Sequence, residues 1–139
     1  GIPAIFMQSY ERVMQYPKGW KILDNAVIDG VFYEHGHRHG GVYAARNAAV
    51  HNGRSTVIGH HHSHASVYMI NNGLKTFYGC NCGCLIDVEA YAFAYTAEHK
   101  FKPTMSCAVV LRGVPFLVPM LLDSGGRWDK REQRRVITC

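Results

Sequence analysis

Ser55-Thr56-Val57-Ile58-Gly59-His60-His61-His62-Ser63-His64 is an apolar run that breaks, after one glycine, into a cluster of imidazoles. The run reads as a short buried strand, and the glycine lets the backbone turn at its end. On an extended segment alternate side chains share a face, so His60, His62 and His64 point one way and His61 the other. Upstream, Val31-Phe32-Tyr33-Glu34-His35-Gly36-His37-Arg38-His39 repeats the theme. Seven of the nine histidines fall in these two windows, each behind a strand pattern. Two such windows joined by a helix-length connection point to a metal site on one edge of a sheet, because neutral imidazole is a good metal ligand.

Working outward, the connection is an alanine-rich helix over 42–50, with Val42, Ala45 and Ala49 at helical spacing and Asn52-Gly53 as its stop. Strand, helix and strand then make a parallel crossover. Before it, 20–28 and 31–35 read as strands around the tight turn Asp29-Gly30, and 2–16 as a weak helix ended by Pro17-Lys18-Gly19. After it, 65–70 and 75–78 flank the hairpin signal Asn71-Asn72-Gly73. Tyr91-Ala92-Phe93-Ala94-Tyr95 alternates aromatic and small residues, as a strand with one packed face does; its rings fit a core better than a base-stacking platform. Segments 107–111 and 114–122 pair around Arg112-Gly113, and Pro115 and Pro119 favour an edge for the second. The sum is a single α+β domain over 1–139, layered and mostly strand after residue 55. It has an N-terminal helix or loop over 1–19 and a basic tail over 123–139.

Composition narrows the class. A chain of 139 residues, 47% hydrophobic and 18% charged, can bury a core and is not disordered. The formal charge of +5 allows an anionic partner, but part of it lies in the tail, where Arg127, Lys130, Arg131, Arg134 and Arg135 read as a solvated end. No apolar run reaches the roughly 18 residues of a membrane helix, and no signal-peptide pattern is present, so the expected compartment is cytoplasmic. Five cysteines, three of them in Cys80-Asn81-Cys82-Gly83-Cys84, read as reduced, packed thiols. Zinc on these three is the alternative, although structural zinc usually takes paired cysteines two residues apart.

The two histidine windows resemble the calcineurin-like metallophosphoesterases, in their smaller bacterial and phage members. His35-Gly36 matches that family's strand ending in His-Gly, 42–50 its helix, and Gly59-His60-His61-His62 its Gly-His-x-His. Leu111-Arg112-Gly113-Val114 looks like its last polar turn. The resemblance spans about residues 20–122. It implies half of an αββα sandwich and a two-metal site, with His35 and His60 on one cation and His62 on the other. It also implies cations about 3.5–4 Å apart that hold a phosphoester and activate water. Ligand type leaves Mn, Fe, Ni and Zn open. His37, His39, His61 and His64 flank the matched positions, as solvent-facing loop residues or as contacts to phosphate or to the ligands. His51 and His99 read as surface.

The chain departs from the family in its first half: it contains no Asp-x-His, no Gly-Asp and no Gly-Asn-His. The bridging carboxylate and the leaving-group histidine are thus missing, and no catalytic residue is assigned. Together with Gly1 in place of an initiator methionine, this gives the expectation of a C-terminal half. Its partners would be a phosphoester or nucleic acid, and either the missing N-terminal half or a second copy meeting a sheet face of Val57, Ile58, Val109 and Leu111. A non-catalytic zinc-binding module and a basic nucleic-acid-binding module are the alternatives.

Overall fold

The strand–helix–strand pattern forms as its periodicities require. In the computed structural model, which describes residues 10–86 and 103–137, β1 (Asn25–Ile28) and β2 (Val31–Glu34) are an antiparallel hairpin. Asp29 and Gly30 are both left-handed, at φ 50° and 79°, which matches the twist of a two-residue turn. Helix α2 (Ala44–Asn52) carries the chain back to β3 (Thr56–Ile58), which lies parallel to β2. It ends at Gly53, at φ 60°, whose N–H returns to the carbonyls of Ala49 and Val50. A short helix, α1 (Tyr10–Met14), precedes this unit.

Next come β4 (Ser66–Asn71) and β5 (Thr76–Asn81), antiparallel around a turn in which Asn71 and Asn72 accept backbone N–H groups. β5 inserts between β3 and β4, so the five-stranded mixed sheet has the order β1-β2-β3-β5-β4. A separate two-stranded hairpin follows, β6 (Ser106–Leu111) and β7 (Val114–Pro119), turned by left-handed Arg112 and Gly113. The last element is α3 (Lys130–Ile137). The architecture is mixed α+β, with three helices among the described residues.

Each face of the sheet has its own cover. Ala44, Ala45 and Ala48 of α2 pack with Ile58 and Tyr68 on one side. The small side chains bring helix and strand so close that a Cβ on Gly79 would collide with the Ala45 carbonyl oxygen. On the other side Val31, Val57 and Cys80 pack with Tyr33 and with Ala108, Val110 and Leu117 of the hairpin.

Several expectations need correcting. Val57 and Ile58 do not share a face; as successive strand residues they enter opposite cores. Val109 and Leu111 sit on the hairpin, exposed, and not beside them. The first strand begins at Asn25 and not at 20, because Trp20 closes a turn onto the Pro17 carbonyl and stacks on Tyr16. The last strand stops at Pro119. The basic tail contains a docked helix: Asp129 accepts the N–H groups of Arg131 and Glu132, and Gln133, 4% exposed, accepts the Leu121 N–H. Cys80 lies on β5, whereas Cys82 and Cys84 follow its end, so the three do not line one strand face. The expected strand over 91–95, with His99, lies outside the described residues. No helix of the described residues is long and apolar enough to cross a membrane.

Candidate functional site

Parallel pairing of β2 with β3, in the register Glu34 opposite Ile58, makes the two strands end side by side. His35 and Gly59 leave the sheet together, and the Gly59 N–H donates to the His35 carbonyl at 3.2 Å. His60 then takes a left-handed backbone, φ 67°, which swings its ring back across the neighbouring strand end. The result is a pair of imidazoles with His35 Nε2 and His60 Nδ1 2.9 Å apart and ring centroids 4.8 Å apart. Nitrogens that close share one proton or one cation, since two N–H groups would repel.

The histidines around the pair have separate roles. His61 Nε2 lies 2.7 Å from the His39 carbonyl; a carbonyl only accepts, so that nitrogen carries the proton. His39 faces Glu34 at 3.7 Å, and Glu34 also accepts from Asn52 at 3.2 Å. His37 is exposed, its ring centroid 6.3 Å from that of His35. His51 is exposed with its ring 5.7 Å from His39. His64 has a buried Nε2 with no hydrogen-bond partner among the described residues, and burial, then the charge of His61, pulls its imidazole below the usual range. His62 stands outside the pair, although its charge bears on His60. A cleft of about 510 Å³ opens beside His35, lined in part by Phe32, Glu34, His37, Arg38 and Asn52.

Desolvation first, and then the positive charges of His35, His61, His62 and His37, hold the His60 imidazole below its ordinary value. A histidine that stays neutral is ready to act as a ligand. Two donors about 2.1 Å from one cation, at nearly a right angle, stand about 2.9 Å apart, so the spacing of the pair suits one octahedral ion. The fit stops there. Among the described residues no group of three or more His, Cys, Asp or Glu side chains is gathered to hold a metal. Among the described residues the donors so placed are a pair, His35 and His60.

Sequence reasoning passed over the residues that hold the second histidine turn in place. Asn81, in register with Ile58, is fully buried and donates through Nδ2 to the carbonyls of His61 and His64, at 3.3 and 2.8 Å. The Thr104 N–H donates to the His62 carbonyl at 2.7 Å. An asparagine between two cysteines was the available signal for Asn81; nothing local marks Thr104. Comparison with protein-family models, with curated proteins and with solved structures gave no match to this chain.

Proposed function

We propose that this chain is the C-terminal part of a calcineurin-like metallophosphoesterase, a hydrolase of phosphomonoesters, phosphodiesters or nucleic acid. The observation that supports it is the His35–His60 pair at adjoining ends of two parallel strands, 2.9 Å apart, in a His-Gly and Gly-His-x-His context. His35 and His60 would hold one divalent cation, and His62, which stands outside the pair, would serve a second. When bound, two such cations of the Mn, Fe, Ni or Zn kind position the phosphoryl group and activate water. His61 is committed to the His39 carbonyl and His39 to Glu34, so exposed His37 would meet a phosphate oxygen more readily than either. The bridging carboxylate, which offsets the repulsion between cations, would come from the missing N-terminal half. The thiols of Cys80, Cys82, Cys84 and Cys107 are unpaired, which suits a cytoplasmic setting.

Titration of the purified chain with Mn²⁺ and Ni²⁺ should show weak binding that His35→Ala and His60→Ala each abolish. Bis-p-nitrophenyl phosphate should turn over slowly or not at all until the N-terminal half is added. A chain that binds neither ion would sink the proposal. Robust turnover by the chain alone, lost in His60→Ala or His62→Ala, would show that its own carboxylates complete the site.

A further inference from the structure

Three successive-turn carbonyls of the second histidine segment are gripped from outside it. Asn81 holds two of them, those of His61 and His64, and Thr104 holds the one between, that of His62. The amide of Asn81 is fully engaged: both Nδ2 hydrogens point to turn carbonyls, and Oδ1 accepts the Gly83 N–H at 3.3 Å. At 0% exposure no water can substitute for it. Within the turn itself His60 is left-handed and one backbone bond runs from the His61 N–H to the Gly59 carbonyl, 2.7 Å; beyond Asn81 and Thr104, the His61 side chain ties the turn to the His39 carbonyl, which leaves the 62–64 backbone to Asn81 and Thr104. An unbraced turn with a left-handed histidine would sample several backbone states, and the His60 ring would leave His35 in most of them.

We propose that Asn81 is a positioning residue for the histidine site: its side-chain amide fixes the 60–64 backbone so that His60 stays against His35. Asn81 touches neither imidazole of the pair and acts only through the carbonyls of His61 and His64. That this serves phosphoester chemistry rests on the function proposed above; the bracing itself does not.

The test uses the ¹⁵N-labelled 139-residue chain, with Asn81→Asp, which replaces the two donors by an acceptor at equal size, and Asn81→Ser, which is smaller. Ser106→Ala is the control: Ser106, 4% exposed at the start of β6, donates its hydroxyl to the Cys82 carbonyl at 2.7 Å and makes no hydrogen bond to the turn. Long-range imidazole ¹H–¹⁵N spectra should show a shared His35–His60 proton in the wild type and in Ser106→Ala, and lose it in both Asn81 variants. Exchange of the Thr104 N–H should quicken about tenfold or more in Asn81→Asp, and affinity for Co²⁺ should fall by a similar factor, with the Co²⁺ absorption bands altered. Folded Asn81 variants that keep the shared proton and the Co²⁺ affinity would overturn the proposal, as would an equal loss in Ser106→Ala. If both Asn81 variants unfold, the wild type decides: Asn81 side-chain amide protons that exchange as fast as those of exposed Asn47 overturn it, and slow ones support it. A wild type that shows the braced pair but binds no Co²⁺ would sink the phosphoesterase reading and leave the positioning role standing.

Discussion

The two histidine turns look alike in sequence and are built differently. The 35–39 turn is held by near neighbours: the His39 N–H returns to the Gly36 carbonyl, and Asn52 and His39 both engage Glu34. The 60–64 turn has one tie to the first turn, His61 Nε2 to the His39 carbonyl, and its remaining carbonyls are held from a distance, by Asn81 on β5 and Thr104 ahead of β6. A locally closed turn forms with the strand it ends, whereas a remotely braced one is only as well defined as the packing that delivers its brace. The difference teaches that one half of the His35–His60 pair depends on the hairpin side of the molecule and the other does not.

The largest effect expected from that difference is at Gly83. It is left-handed, at φ 73°, and a Cβ there would stand 2.5 Å from Ser106 Oγ and 2.6 Å from the Thr104 carbonyl. Gly83→Ala should cost about 3 kcal/mol in chemical denaturation, by strain and overpacking together, and should loosen the 60–64 turn while leaving 35–39 ordered. Equal broadening of both sets of histidine resonances would break the comparison.

Gly36→Ala comes next, at about 2 kcal/mol. Its φ is 95° and its Cβ would meet one atom below 3 Å, Ile58 Cβ at 2.8 Å, whereas at Gly83 two polar oxygens stand closer still. A cost above that of Gly83→Ala would reverse the ranking.

A third expectation concerns pH. Burial, and then the neighbouring Cys82, pushes the Cys80 thiol up to about 12 from an ordinary value of 9.0. Between those values the unfolded chain gives up the proton that the folded chain keeps, so stability is full below pH 9 and falls as pH rises toward 12. The slope from this one group is at most about 1.4 kcal/mol per pH unit. Cys80 precedes Asn81 on β5, so the alkaline loss should reach the 60–64 turn first. Cys80→Ala should flatten the fall in melting temperature over this range; an unchanged slope would remove Cys80 as its source.

The smallest effect belongs to Asn52→Ala, which removes the hydrogen bond to Glu34 and should cost about 1 kcal/mol. Its spectral consequences should stay with His39 and leave His62 and His64 unmoved. A shift at His64 would mean that the His61–His39 tie carries the change through the whole second turn.

The parts of the fold that could be read in the residues are those written in short-range terms. Asp29-Gly30 and Arg112-Gly113 announce two-residue turns, since few other pairs accept two left-handed positions. The alanine spacing announces a helix, and its length after a strand announces the parallel return that sets His35 beside His60. The start of β1 was misplaced because Trp20, Ile22 and Leu23 are apolar enough for a strand yet remain exposed, outside any sheet. The tail reads as a solvated basic end because charge counts show neither Asp129 as a cap nor Gln133 as a buried anchor.

By itself, then, the sequence determined where the backbone must turn, which segments alternate or wind, and that two histidine clusters end neighbouring parallel strands; each of these follows from residues within a few positions of one another. Tertiary structure alone decided that β5 lies between β3 and β4, and with it that Asn81 reaches the His61 and His64 carbonyls while His62 stays outside the pair. The physical reason is that period-two alternation states which face a residue occupies and never which strand lies next to it. A brace between the ends of two strands exists only once the sheet has chosen its order.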